Sequence, residues 1–379
     1  MKKILKYSIT ILLITFLFFF LFDPNPYLRK SLIHLTASLD DYKIFENRIV
    51  KAGEYIEWKT SENYNTYNLS KAELDTFNQF KTISYLLLQD SSILFENYWD
   101  NYNSNSITNS FSMAKSITSL LIGIAIDENK ISGVNDKVSD YLPEFNDKKR
   151  KDITIKDLLT MSSGLTWNES YWNPFSSTTN AYYGNNLEKL VLGLKLKDKP
   201  GQQFKYLSAN SQLLSLILKK ATGKSLSKYA SEKLWIPLNA KNDALWSIDK
   251  KNGVEKAYCC FNSNARDFAR IGQLILNKGM WNGKQIISEK YLSEALSPAK
   301  YLKDENNVNV DFYGYQWWLI NYKGYDIQYA RGILGQYIII IPEKNIVVVR
   351  LGHKRSSERT RHHPNDILFY INTALEITK

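Results

Sequence analysis

Asn109-Ser110-Phe111-Ser112-Met113-Ala114-Lys115-Ser116 is the stretch on which the reading turns. It sets Ser112 and Lys115 three residues apart at the mouth of a predicted helix, Ala114 to Asp127, where Ile117, Leu120, Leu121 and Ile124 recur at helical spacing. Positions i and i+3 share a helix face, so the Lys115 side chain can reach the Ser112 hydroxyl. A serine hydroxyl is a poor nucleophile until a neighbour takes its proton. Lysine can be that neighbour where its surroundings favour the neutral amine. The helix start adds a backbone N–H and the positive end of a dipole near an incoming carbonyl oxygen. Alone the pattern is weak, because serine at a helix start is ordinarily a cap.

Working outward, Ile83 to Leu88 and Ile93 to Tyr98 flank Gln89-Asp90-Ser91-Ser92 and read as a β-hairpin. Ile155 to Met161 and Ala209 to Thr222 have helical spacing, the second stopping at Gly223. Tyr315 to Ile320, Gln336 to Ile341 and Ile346 to Leu351 are short apolar, β-branched runs, the last two joined by the turn Pro342-Glu343-Lys344-Asn345. Pro364 to Thr378 closes the chain as an amphipathic helix. Strands at both ends with helices between predict an α+β fold: a central antiparallel sheet, completed by the carboxyl end, flanked by helices, plus a mainly helical region.

The 379 residues suffice for one large domain or two ordinary ones, and 44% apolar with 23% charged residues is ordinary globular usage. Two cysteines and four histidines (His34, His353, His362, His363) offer no zinc-finger or HExxH spacing, so no metal and no cofactor are expected. Cys259 and Cys260 are adjacent; a bond between neighbours closes a strained ring, so they are expected as buried packing residues without a disulfide. The net charge of +11 is spread along the chain, often beside acids, with no basic stripe or stacking module, so nucleic acid is not an expected partner. His353 follows the last apolar strand in a basic loop. Without a G-x-S-x-G elbow it does not suggest a Ser-His-Asp triad.

At the amino terminus, Met1-Lys2-Lys3 precedes an apolar run to Phe22 whose part from Ile11 to Phe22 carries no charge. It predicts an uncleaved signal anchor, a transmembrane helix over 1–22, with a cleaved signal peptide as the alternative. Lys2, Lys3 and Lys6 before the run place the remainder outside the cytoplasm. Residues 23–75 read as a lead-in packed on a main domain over 76–379.

The stretch around Ser112 resembles the active-site motif of the serine β-lactamase and penicillin-binding-protein superfamily. Three further segments resemble its class C-like members in the same order: Ile155 to Leu165; Pro200 to Asn210, around the position of the catalytic tyrosine; and Gly332-Ile333-Leu334-Gly335-Gln336, where members carry Lys-Thr-Gly or His-x-Gly. Tyr206-Leu207-Ser208, Tyr258 to Asn262 and Ala265 to Arg270 are more narrowly similar to 6-aminohexanoate-dimer hydrolases and related carboxylesterases.

The resemblance implies an acyl-enzyme on Ser112, proton transfer by Lys115 and Tyr206, and an oxyanion hole from the N–H groups of Ser112 and Gln336 beside Gly335. Ser208, in place of the usual Asn, and Tyr171, in a lid-like loop from Trp167 to Pro174, are candidate substrate contacts. Ile333 and Leu334 replace the polar groups that hold a β-lactam carboxylate, which leaves Arg331 as the one substitute cation. The expected activity is hydrolysis of a small ester or amide. A β-lactamase or D,D-carboxypeptidase, or a catalytically silent sensor on the same fold, are the alternatives.

Overall fold

Aliphatic and β-branched runs build a seven-stranded sheet from β1 (Lys59–Thr60), β2 (Thr82–Gln89), β3 (Ser92–Tyr98), β4 (Trp318–Tyr322), β5 (Tyr325–Gly332), β6 (Gln336–Ile341) and β7 (Ile346–Gly352). Their order is β4-β5-β6-β7-β2-β3-β1, antiparallel except for the short β1–β3 pair. The amino-terminal hairpin thus pairs with the last strand, Val348 opposite Leu87, and closes the sheet. Asp90 and Ser91 both take positive φ, the primed geometry whose twist suits a two-residue hairpin loop. The computed structural model describes residues 2–22 and 25–379.

Alternation along the strands divides the core. Leu86, Leu88, Ile338, Ile340, Val347 and Val349 face one layer; Tyr85, Leu87, Tyr337, Ile339 and Val348 face the other. Each such side chain taken fully out of water contributes roughly 1.5–3 kcal/mol. The longer helices are α1 (Lys2–Phe22), whose described side chains are largely exposed, α2 (Tyr27–His34), and the core-packed α3 (Met113–Asp127), α4 (Ser208–Thr222), α5 (Ala265–Leu276) and α6 (Asp366–Ile377). Helix α3 is buried on every side from Met113 to Ala125, its polar Lys115, Ser116, Thr118 and Ser119 included, each of them hydrogen-bonded. It is tied to α4 through Gln316, whose carbonyl accepts from Ser116 Oγ (2.7 Å) and whose Oε1 accepts from Ser211 Oγ (2.6 Å). Helix α6 covers the opposite face, where Phe369 meets Phe77 edge-on at 5.1 Å and the Tyr370 carbonyl accepts from Tyr85 Oη at 2.8 Å. Helix α2 leans on Ser177–Tyr183, with His34 stacked on Tyr183 at 5.9 Å.

A smaller sheet matters for the site. Asn47–Val50, Ala244–Ser247, Phe261–Ser263 and Thr108–Asn109 pair in that order, and the last two strands deliver the chain to Ser112.

Two expectations are corrected. Among the described residues, no helix is long and apolar enough to cross a membrane, so the spanning helix expected over 1–22 is not supported. The charge-free stretch Tyr7 to Phe22 is sixteen residues, about 24 Å of helical rise against about 30 Å of hydrocarbon. Met1, Asp23 and Pro24 lie outside the described residues. Second, Cys259 and Cys260 are joined by a disulfide. Both are buried as expected, but Cys260 takes φ +68, and this left-handed turn bends the chain enough for neighbouring sulfurs to meet.

Candidate active site

Ser112 caps the start of α3, and the residue before it is held in a demanding conformation: Phe111 is buried with φ +44. Such a backbone costs on the order of 1–3 kcal/mol and persists only where its surroundings enforce it. Here Asn109 Oδ1 accepts from the Phe111 N–H at 2.8 Å, and the Ser110 N–H donates to the Phe261 carbonyl at 2.9 Å. The Ser112 hydroxyl is thereby lifted to a cavity wall, one helical turn from Lys115.

Lys115 is buried, and its Nζ donates to Ser112 Oγ (3.1 Å), Ser208 Oγ (3.1 Å) and the Tyr258 carbonyl (2.8 Å). An ammonium has three protons, so all are committed. Its Nζ also lies 5.0 Å from the centroid of the Tyr206 ring and 5.5 Å from that of Tyr258. Ser112, Lys115, Tyr206 and Ser208 therefore converge, although they come from the start of α3 and the start of α4.

Glu169, which lies in the lid-like loop from Trp167 to Pro174, extends this cluster. Its Oε1 accepts from Ser208 Oγ at 2.6 Å and from Tyr171 Oη at 2.7 Å, and its Oε2 accepts from the Ser208 N–H at 2.7 Å. Ser208 is the first residue of α4, so the carboxylate also faces the positive end of that helix. A continuous path thus runs Ser112–Lys115–Ser208–Glu169–Tyr171, ending in the loop of 167–175. That loop is held at its base by Trp167 Nε1 on Thr178 Oγ1 (3.0 Å) and Ser176 Oγ on the Ser170 carbonyl (2.6 Å). Its tip carries Trp172 and Phe175, 80% and 74% exposed.

Strand β5 passes close to Ser112. A Cβ at Gly332 would stand 2.3 Å from the Ser110 carbonyl oxygen, so only glycine lets the strand come this near. The residue brought beside Ser112 is Ile333, which opens a one-turn helix, Ile333–Gly335, and so has no intrahelical partner for its N–H. Leu334 in that turn takes φ +62. Ser112 and Ile333 together line both cavities described below, whereas Gly335 and Gln336 line neither. Gly335 is buried under the Arg350 guanidinium, to which its carbonyl is bonded at 2.6 Å. Gln336 is buried with its Nε2 donating to the Ile333 carbonyl (3.1 Å) and the Gly352 carbonyl (2.7 Å), a clamp on the turn that carries Ile333.

Two cavities meet at Ser112. One, of about 440 Å³, is lined by Tyr206, Glu169, Trp318 and the cations Arg331, Arg355 and Arg359. The other, of about 790 Å³, runs towards α2 between Phe111, Leu334, Leu35 and Trp172. Tyr171 borders both. Arg331 is buried, lies 3.3 Å above the Trp318 ring and donates to the His362 carbonyl at 2.7 Å. His353 borders the larger cavity, 3.3 Å from Tyr102 Oη, and burial holds its imidazole below the ordinary value. Among the described residues, Asp304, Glu305 and His362 could offer ligand atoms within 4.8 Å of one another. His362 is already engaged there, by Asp304 at 3.2 Å and by the Phe312 ring at 3.7 Å.

This geometry has counterparts. The chain is 25% identical over 312 residues to the 6-aminohexanoate-dimer hydrolase of Paenarthrobacter ureafaciens, spanning 78% of this chain and 79% of the other. A solved 6-aminohexanoate-dimer hydrolase-like protein of Bacillus anthracis superposes with a TM-score of 0.72 at 20% identity, over 93% of this chain and 94% of that one. A family VIII carboxylesterase superposes at 0.64 and 17% identity, over 85% and 99% of the two chains. The Beta-lactamase family profile matches residues 72–371. The chain belongs to the Beta-lactamase family, a serine hydrolase superfamily of β-lactamase/transpeptidase-like α+β fold.

Proposed function

We propose that the protein hydrolyses ester or amide bonds through an acyl-enzyme on Ser112. The observation that carries this reading is the 3.1 Å contact between Ser112 Oγ and the buried Lys115 Nζ, at a point where two cavities open. Lys115 first passes one proton through the Ser208 hydroxyl to Glu169; Ser112 Oγ then attacks the substrate carbonyl carbon and its own proton passes to the amine so formed. The oxyanion is received by the N–H groups of Ser112 and Ile333, each donor contributing about 2.7–4 kcal/mol to the barrier. Tyr206 then protonates the leaving oxygen or nitrogen and is reprotonated from Lys115. A water repeats the sequence in reverse to release the acid.

The placement of Ile333 beside Ser112 favours it over Gln336 as second donor, with Gln336 positioning the turn. Ser208 offers Lys115 a route to shed or regain a proton: its hydroxyl accepts from Lys115 while donating to Glu169. A fluorophosphonate should add one adduct to the intact protein, read by mass spectrometry, and Ser112→Ala should abolish it. Lys115→Ala and Tyr206→Phe should slow labelling at least about tenfold. Adduct formation that survives in Ser112→Ala rules the mechanism out.

A further inference from the structure

The two cavities at Ser112 share a wall that carries Arg355 and Arg359 and differ beyond it, and this arrangement specifies a substrate. The cavity of about 790 Å³ is walled by Leu32 and Leu35 from the end of α2, Phe111 and Leu334 from the nucleophile's surroundings, and Trp172 and Pro174 from the lid. Arg355 and Arg359 stand where it meets the other cavity, with Lys354 and His353 beside them, no acidic residue lines it, and its size is that of an ordinary small-molecule site. Apolar walls of this kind take an acyl chain, with about 0.8 kcal/mol gained for each methylene removed from water.

The cavity of about 440 Å³ shares Arg355 and Arg359 with the larger one and adds Arg331, which lines it alone, together with the acids Glu169 and Glu305. Among the described residues none of the three has a carboxylate within ion-pair distance. Lys205 beside them is satisfied by Asp198 at 2.6 Å, and Glu169 is committed to Ser208 and Tyr171. Loss of water at the wall, and then the Arg331 and Arg355 charges, hold the Arg359 guanidinium below its ordinary value. Three guanidiniums at one wall with no carboxylate in ion-pair contact, Glu305 being the one acid there without a stated partner, are a costly arrangement that an oxyanion relieves, and arginine's planar fork matches carboxylate and phosphate alike.

Orientation follows from Tyr206 and Arg331, which line the smaller cavity and not the larger one. The group that Tyr206 protonates on departure must therefore leave through the arginine side. We infer that the substrate is an anionic amphiphile: a medium or long apolar acyl chain in the cavity between α2 and the lid, joined by an ester or amide bond to a small alcohol or amine carrying a carboxylate or phosphate held by Arg331, Arg355 and Arg359. This inference rests on the serine-hydrolase reading above and names the substrate class of that site.

The test measures kcat/KM for release of lauric acid by the full chain. Its amide probes are N-lauroylglutamate, N-lauroylphosphoethanolamine and uncharged N-lauroylethanolamine; its ester probes are lauroyl glycerophosphate and lauroyl glycerol. Acetyl versions of each report on the chain, and p-nitrophenyl butyrate reports on the nucleophile. The anionic lauroyl compounds should exceed their neutral partners at least about tenfold, the yield of roughly one charge-assisted hydrogen bond. Whether carboxylate or phosphate gains more identifies the natural anion. In Arg355→Gln/Arg359→Gln the anionic-to-neutral ratio should collapse towards one. In Trp172→Ala the lauroyl-to-acetyl ratio should shrink. Both alter side chains at the cavity rim, and thermal melting checks that each variant folds. Equal turnover of anionic and neutral partners, or of lauroyl and acetyl forms, overturns the inference while Ser112-dependent cleavage of p-nitrophenyl butyrate leaves the hydrolase reading intact. No turnover of any probe overturns both.

Discussion

Alanine at Gly332 is the sharpest probe of the oxyanion geometry. Gly332 has φ −115 and ψ 161, extended values open to any residue, so its backbone alone would tolerate a side chain. The space would not. A Cβ there would lie 2.3 Å from the Ser110 carbonyl oxygen and 3.1 Å from both Gln336 Cβ and Phe111 Cβ. A relaxed carbon–oxygen contact is about 3.3–3.6 Å, so β5 must retreat by about 1 Å. Ser110 cannot yield instead, since its N–H is bonded to Phe261 at 2.9 Å and its neighbour Phe111 to Asn109 at 2.8 Å.

The retreat carries the Ile333 N–H away from Ser112. A displacement of this size at a reacting centre costs roughly 100-fold in rate, about 2.7 kcal/mol of barrier. Overpacking adds about 1–3 kcal/mol of lost stability. Stability and kcat separate the two effects: urea unfolding gives the folded fraction, and p-nitrophenyl butyrate gives kcat per folded molecule. Gly283→Ala is the control, because Gly283 has φ +75 but nothing within 4 Å, so it should lose about 1 kcal/mol of stability and keep its kcat. Folded Gly332→Ala with wild-type kcat would show that Ile333 is not the donor.

Glu169→Gln keeps the shape of the lid contact but removes the charge that receives both Ser208 hydrogen bonds, so kcat should fall about 10- to 100-fold and its pH profile should move. An unchanged profile would reduce Glu169 to a lid anchor. Asp267 is fully buried and accepts from the Lys241 and Asn242 N–H groups, Asn264 Nδ2 and Arg270 Nε. Asp267→Ala strands those donors and a buried guanidinium, and should cost about 3–5 kcal/mol in urea unfolding; a loss under 1 kcal/mol would contradict the account. Lys256 is buried with Nζ on the Tyr182 carbonyl at 2.7 Å and over the Phe45 ring, and burial holds its amine well below the ordinary value. The unfolded chain therefore binds the extra proton, and stability should rise with pH from that lowered value up to about 10.4. Urea midpoints from pH 6 to 9 should climb in the wild type relative to Lys256→Met, and parallel curves would refute the assignment.

What the sequence disclosed follows the range of the interactions. The hairpin of β2 and β3, the runs of β6 and β7, and the helix after Ser112 are spelled in local periodicity, so each was legible within a few residues. Strand β5 was not, because Asp326, Gln328 and Arg331 break its apolar pattern although it is paired on both sides. The Ser112–Lys115 contact was legible because one helical turn fixes it. The Ser208–Glu169 contact was hidden, since it joins residues 39 apart and depends on how the lid folds back. Arg355 and Arg359 looked like solvated loop charges, since only the fold turns them towards Ser112.

The second oxyanion donor shows most clearly why motif alignment stops short of geometry. Gly332-Ile333-Leu334-Gly335-Gln336 marks the correct strand junction, but the donor's position depends on how the chain turns there. With Leu334 at φ +62 the junction coils into a single helical turn, and the close approach to Ser112 falls at Gly332, leaving Ile333 at the cavity and Gln336 behind it. The same device recurs on the other two sides of the nucleophile: Phe111 at φ +44 and Cys260 at φ +68 are also left-handed without being glycine. Three such residues, each costing on the order of 1–3 kcal/mol, border one hydroxyl and one amine. Here they are the backbone's contribution to aiming the Ser112 hydroxyl, the Tyr258 carbonyl and the Ile333 N–H at one point. Relaxing any one of them should therefore stabilise the fold and slow the reaction together: Leu334→Gly should raise the urea midpoint while lowering kcat, and a variant that gained both would detach this strain from catalysis.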